Sequence, residues 1–234
     1  MFEVELKTKE KVSKIKVNTI LVAIGRDAQP DKLELKHAGV NFGKSLKVLG
    51  RPEEKERTNI DNIYAVGDVL EDVPELMPVA QKSGKLLAHR IYHRMKQDLP
   101  EDKILQKFTT DYNLIPTTVF SPTEYSFVGL SEQEAIKTYG EDKIEVYHRE
   151  VTPLQFSIVH DNTKSAYMKV ICLKTNGEKV LGMHFFGPNA DEVIGGYAVA
   201  MKLGLSKHHL DFSIGIHPST SEEFFNMEVT KRSG

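Results

Sequence analysis

Asn62-Ile-Tyr-Ala-Val-Gly-Asp68 is a short apolar run that stops at Gly-Asp. It reads as a buried strand, and strand ends of this kind are where an open α/β sheet presents its ligand-binding groups. Gly67 permits close backbone approach. An ionised Asp68 only accepts hydrogen bonds, which suits it to a hydroxyl-rich ligand, although an ordinary turn uses Asp as readily. Further on, Glu75-Leu-Met-Pro-Val-Ala80 opens a helix. Pro78 fits helix initiation, and free N–H groups at a helix start attract an electron-rich ligand. Upstream, Val22-Ala-Ile-Gly-Arg26 reads as a strand running into a turn.

Working outward, the chain divides into two differently patterned halves. In the first, residues 2–6 and 14–24 read as strands. Residues 79–95 carry apolar side chains at Val79, Leu86, Leu87, Ile91 and Met95, the spacing of an amphipathic helix. The polar stretch 97–107, with Pro100, reads as a linker. The second half begins near Asp111. Strands are expected at 117–121, 143–151, 165–173 and 179–186, with Asn176-Gly177 as a hairpin turn. Ser131-Glu-Gln-Glu134 is a capping box that opens a helix to about Tyr139, stopped by Gly140. Residues 189–203 read as a helix ended by Gly204. A further helical turn is expected at 206–210, and a last helix capped from Ser219-Thr220-Ser221 and running through Met227. Hairpins replace βαβ units here, so the second half reads as α+β with an antiparallel sheet.

Composition narrows the function classes. A length of 234 residues suits one or two domains, and 40% hydrophobic with 27% charged residues is an ordinary globular mixture. Lys and Arg total 31 against 33 Asp and Glu, a net charge of -2. No basic excess exists for lying along phosphate, so nucleic acid is not an expected partner. No apolar run approaches the ~20 residues a bilayer span needs, and the first residues mix acid and base where a signal peptide is apolar. One cysteine, Cys172, leaves no disulfide and no CxxC pair. It reads as a small buried residue. The expected setting is reducing and cytoplasmic, with the mitochondrion as the alternative.

The candidate for proton chemistry is Gly215-Ile-His-Pro-Ser-Thr-Ser-Glu222. If the chain turns at Pro218 into a helix, the Glu222 carboxylate reaches back to the His217 imidazole. A carboxylate-oriented His is a proton carrier poised near neutral pH, and the plain alternative is a structural His-Pro turn. His89 and His93, four apart on one helix, have no evident third ligand and read as a solvated face, so no metal is expected.

In this order and spacing the segments resemble the pyridine-nucleotide disulfide oxidoreductases. The matching text is AIGR, NIYAVGD, ELMPVA, PTTVFSPTEYSFVGLSEQEA, GPNADEVIGGYA and GIHPSTSEE. Within that family, Glu145-Val-Tyr-His148 and the closing Val229-Thr-Lys-Arg-Ser-Gly234 are most similar to the large, animal-type thioredoxin reductases, the thioredoxin-glutathione reductases included. Members also carry two glycine-rich phosphate loops and a CxxxxC redox disulfide. This chain has no GxGxxG and no Cys pair, so it resembles the C-terminal part of such an enzyme and is expected to be inactive alone. The resemblance implies the end of an NADPH domain at residues 1–26 and the C-terminal part of a Rossmann-like FAD domain at 27–109. It implies an interface domain pairing two subunits at 110–234. It assigns Asp68 to the ribityl chain of FAD, Leu76, Met77 and Pro78 to the isoalloxazine ring, and Gly25 and Arg26 to the cofactor side of the domain junction. Glu75 and Val119 fall to the nicotinamide side. His217, oriented by Glu222, becomes the acid–base residue for the redox disulfide of the opposite subunit. Met77 stands where the family usually has Thr, and Lys85 where it has Arg. The implied activity is NADPH-dependent reduction of thioredoxin through FAD by a homodimer. Glutathione reduction and a non-catalytic dimerisation module or truncated isoform are the alternatives.

Overall fold

The computed structural model describes residues 1–154, 156, 166–175 and 177–233. They fall into two compact units, Met1–Thr110 and Asp111–Gly234.

In the first unit, β1 (Phe2–Lys7) and β2 (Val12–Val17) form an antiparallel hairpin with Phe2 opposite Val17. Thr8 closes its turn by donating N–H to Lys11 O at 2.8 Å. β2 ends at Val17, short of the strand expected over 14–24. A strand needs a ladder partner, and Ile20, Leu21, Val22 and Ile24 have none among the described residues and stay exposed. The run 62–66 is likewise no strand. It pairs through the single bridge Arg57↔Tyr64 and through Ala65 N–H to Glu56 O at 2.9 Å. A parallel bridge joins Val48 to Leu70, both buried.

Helix α1 (Met77–Lys96) buries Val79, Ser83, Leu87 and Arg90, one stripe at helical spacing, and ends where Gln97 takes a left-handed conformation. The stretch expected as a linker contains α2 (Glu101–Phe108). Pro100 caps it rather than breaking it, acids sit in its first turn and Lys107 in its last, and Ile104 and Phe108 are buried. His89 and His93 of α1 stack on Phe108, with centroids 5.1 and 5.0 Å away. They help seat α2 rather than forming only a solvated face.

A buried ion network ties these parts together. Arg90, fully buried, donates to Glu54 at 2.8 Å, to Glu56 at 2.6 Å and to Phe108 O at 2.5 Å. Arg94 adds two bonds to Glu54, at 3.0 and 2.9 Å, and pairs with Glu101. Burial opposes the Glu54 charge, but the hydrogen bonds from Arg94 and Arg90 outweigh it and hold its carboxyl below the ordinary range.

The second unit is an antiparallel five-stranded sheet in the order β3 (Thr117–Val119), β4 (Tyr125–Gly129), β7 (Lys179–Phe186), β6 (Ala166–Leu173), β5 (Ile144–Val151). Alternation along β6 serves two cores. Met168, Val170 and Cys172 pack with Ile194, Ala198 and Met201 of α4 (Ala190–Lys202), while Ile171 joins Ala135 of α3 (Glu132–Tyr139) on the other face. The expected capping box opens α3, with the Ser131 side chain and Glu134 satisfying each other's backbone. Asn176 lies outside the described residues. Gly129 pairs with Gly182, and a Cβ on Gly182 would sit 2.0 Å from Leu130 O, so β4 and β7 approach too closely for any side chain there. A short helix, α5 (Lys207–Asp211), follows. The closing segment is a 3-10 helix, Ser221–Asn226, whose Phe224 is fully buried against Phe185 and Tyr197.

Candidate functional site

The turn carrying His217 is built locally. Gly215 crosses over the start of the 3-10 helix, where a Cβ would lie 2.6 Å from Glu222 Cβ, so a glycine is required. Phe224 anchors the helix in the core and fixes Glu222 on its first turn. Ser219 then organises the carboxylate. Its N–H donates to Glu222 Oε1 at 3.0 Å, and its hydroxyl accepts from the Glu222 N–H at 3.3 Å. This reciprocal pair is a Ser-x-x-Glu spacing of the capping-box kind, a signal available in the sequence and overlooked there.

Glu222 in turn holds the imidazole. His217 Nδ1 lies 3.1 Å from Oε1 and 3.2 Å from Oε2, across a cis His217–Pro218 peptide. The Glu222 side chain is 16% exposed and that of His217 is 83% exposed, so a fixed acceptor carries an open ring. The Ser219 N–H is the main cause that lowers the Glu222 carboxyl below its ordinary value; burial opposes it and the His217 contact adds to it. The anionic form is therefore the one present at neutral pH. His217, Pro218 and Thr220 line a cavity of about 490 Å³ whose other wall includes Val151, Pro153 and Leu154. The arrangement is an oriented proton carrier facing a partly apolar hollow.

In the first unit, Gly67 and the start of α1 are brought together. Gly67 is buried at φ 72°, and a Cβ there would meet Ala80 Cβ at 2.9 Å. That contact sets the Gly67–Val69 turn, and the exposed Asp68, against the first turns of α1. Leu76 caps α1 with extended backbone and no side-chain bond, and Met77 is 66% exposed. Free first-turn N–H groups beside an exposed carboxylate suit a ligand with both a hydroxylated chain and an electron-rich ring. These residues fit a flavin dinucleotide in donor set and in close backbone approach. Glu75 pairs with Lys47. Gly25 adopts φ 109° with open space around it, and Arg26 is exposed. Val119 is exposed on β3, in the second unit.

The description "Pyridine nucleotide-disulphide oxidoreductase, dimerisation domain" belongs to a family model that matches residues 115–228. A second model, "Pyridine nucleotide-disulphide oxidoreductase", matches residues 2–84. The chain belongs to the pyridine nucleotide-disulphide oxidoreductase family. Among its relatives is "Thioredoxin reductase SEP1" from Emiliania huxleyi, 43% identical over 225 residues that make up 93% of this chain and 43% of the relative. The chain thus spans under half the length of that curated relative. No helix among the described residues is long and apolar enough to cross a membrane.

Proposed function

We propose that the complete protein is an NADPH-dependent flavoprotein disulfide reductase acting on thioredoxin. Residues 1–234 supply contacts to FAD, a homodimer interface and an acid–base histidine. The observation that carries this reading is the His217–Glu222 pair, 3.1 Å apart, with the ring open to a cavity. With Nδ1–H donating to the carboxylate, proton exchange is left to Nε2. Disulfide reduction needs a proton delivered to a leaving thiolate and withdrawn from an attacking thiol. An imidazole held at one nitrogen and free at the other performs both transfers without reorienting. Glu222 holds the ring in place through Nδ1.

When bound, FAD supplies the relay that passes an electron pair from NADPH to a disulfide. Under this reading Asp68 accepts hydrogen bonds from the ribityl hydroxyls, and Leu76, Met77 and Pro78 support the isoalloxazine ring at the start of α1. Gly25 and Arg26 flank the cofactor, and Glu75 and Val119 serve the nicotinamide side. Residues 1–26 belong to an NADPH domain, 27–109 to the FAD domain and 110–234 to the interface domain. The exposed apolar side chains Val199, Leu203, Phe212, Ile214 and Ile216 are surface for the subunit contact. With one cysteine and no glycine-rich phosphate loop, residues 1–234 alone are not expected to turn over.

The test is His217→Gln in the complete dimer. The amide has similar reach but carries no proton, so turnover should fall about 10²–10⁴-fold with flavin content and dimerisation kept. Glu222→Gln should cost less, because it loosens the hold on the ring and leaves the proton carrier in place. Near-normal turnover of His217→Gln would leave the residue a structural turn and favour the reading of this part as a dimerisation module.

A further inference from the structure

The last described residues lie along the outer edge of β5. The His148 N–H donates to Val229 O at 3.1 Å and the Lys231 N–H to Val146 O at 2.9 Å, with Thr230 opposite Tyr147. Two carboxylates are shared between this segment and the body of the unit. Glu132 lies 2.5 Å from Lys231 Nζ and 3.2 Å from Lys169 Nζ. Glu145 Oε2 lies 3.6 Å from both Arg232 Nη1 and Lys174 Nζ. Arg232 also donates to Glu141 O at 2.8 Å.

We propose that residues 228–233 are a releasable strap over the edge of β5, latched by Glu132 and Glu145 and hinged directly after Met227. Met227 is 1% exposed and stays in the core, whereas the side chains of Lys231 and Arg232 are 65% and 48% exposed. When the strap leaves, Lys169 stays with Glu132 and Lys174 with Glu145. Neither half-buried acid is then stranded, which removes the usual penalty for breaking such a contact. The strap is held by two β-type backbone bonds, whereas β5 and β6 share an eight-residue ladder that remains. Release bares the Val146 carbonyl and the His148 N–H, opening a strand edge to an extended polypeptide. The strap holds whatever chemistry the His217 site performs.

Residue-resolved hydrogen exchange in the full-length protein tests this, and its readout is independent of activity. The probes are the His148 and Lys231 amides, with Met168 and Val170 as core controls. Lys231→Gln and Glu132→Gln should each speed the two strap amides about two- to five-fold, the scale of a surface ion pair. The core amides should not change. Raising salt from about 0.05 M to about 0.5 M should do the same in the parent protein. Exchange of the strap amides only together with the core would overturn the strap. Parental rates in Lys231→Gln, whose exposed side chain puts folding at no risk, would overturn the latch.

Discussion

Replacing Arg90 with Met removes a guanidinium that is fully buried and donates to Glu54, Glu56 and the Phe108 carbonyl. The packing loss is small, because methionine fills much of the aliphatic stem. The electrostatic loss is not. Removing one partner of a buried ion pair typically costs about 3–5 kcal/mol, since the remaining charge is held away from water. Here Arg94 keeps two bonds to Glu54, so one carboxylate is still compensated. The expected loss is therefore near the lower bound, about 3 kcal/mol, or more than a hundredfold in the opening equilibrium. Hydrogen exchange of the α1 amides in the complete protein reads that equilibrium without assuming a single two-state transition. The loss should also depend on pH. The folded Glu54 carboxyl lies below its ordinary 4.5, so its contribution is complete above that value and fades as pH falls through the lowered one. In Arg90→Met, Glu54 protonates more readily, and the deficit relative to the parent should shrink on acidification. Adding Glu54→Gln and Glu56→Gln should recover part of the stability at neutral pH. Acceleration below about tenfold, or a deficit that grows toward acid, would refute this account of the network.

Two further expectations concern the second unit. Gly182→Ala places a methyl 2.0 Å from Leu130 O in the β4–β7 pair, and the backbone must give way. The cost should reach the top of the about 1–3 kcal/mol range for overpacking, and an unchanged Tm would contradict the close approach. Burial, with Glu178 second, pushes the Cys172 thiol up to about 12. The native protein should therefore resist Ellman's reagent at pH 8 and label only on unfolding; rapid labelling of the folded protein would show the thiol to be accessible.

Signals confined to a few residues were legible in the sequence. The capping box at Ser131 and Glu134 and the pairing of His217 with Glu222 each need only one turn of chain. The antiparallel reading of the second unit followed from its strands succeeding one another as hairpins with no βαβ crossover. Features that depend on distant partners were not legible. Residues 18–24 have strand composition, yet a strand exists only against another strand. Residues 97–107 have the polar composition of a linker, and the burial of Ile104 and Phe108 that makes 101–108 a helix depends on α1. The Arg90 network joins residues 34 and 36 positions apart, a pairing no local pattern announces. At the candidate site, Asp68 and the start of α1 were each visible, but their meeting through Gly67 and Ala80 was not.

The strand order of the second unit carries a consequence for how it is made. β5, β6 and β7 follow one another in the chain as ladder neighbours and can pair in the order in which they are made. β4 is different. Beside β3 its ladder partner is β7, and Tyr125 meets His184 only 59 residues downstream. On a ribosome β4 and β3 therefore emerge early and wait, bare-edged, until β7 has been synthesised. During that interval Tyr125 and Phe127 have no cover from His184. A pause in translation between β4 and β7 would lengthen the exposure, which makes this stretch a natural client for a chaperone that recognises apolar strands.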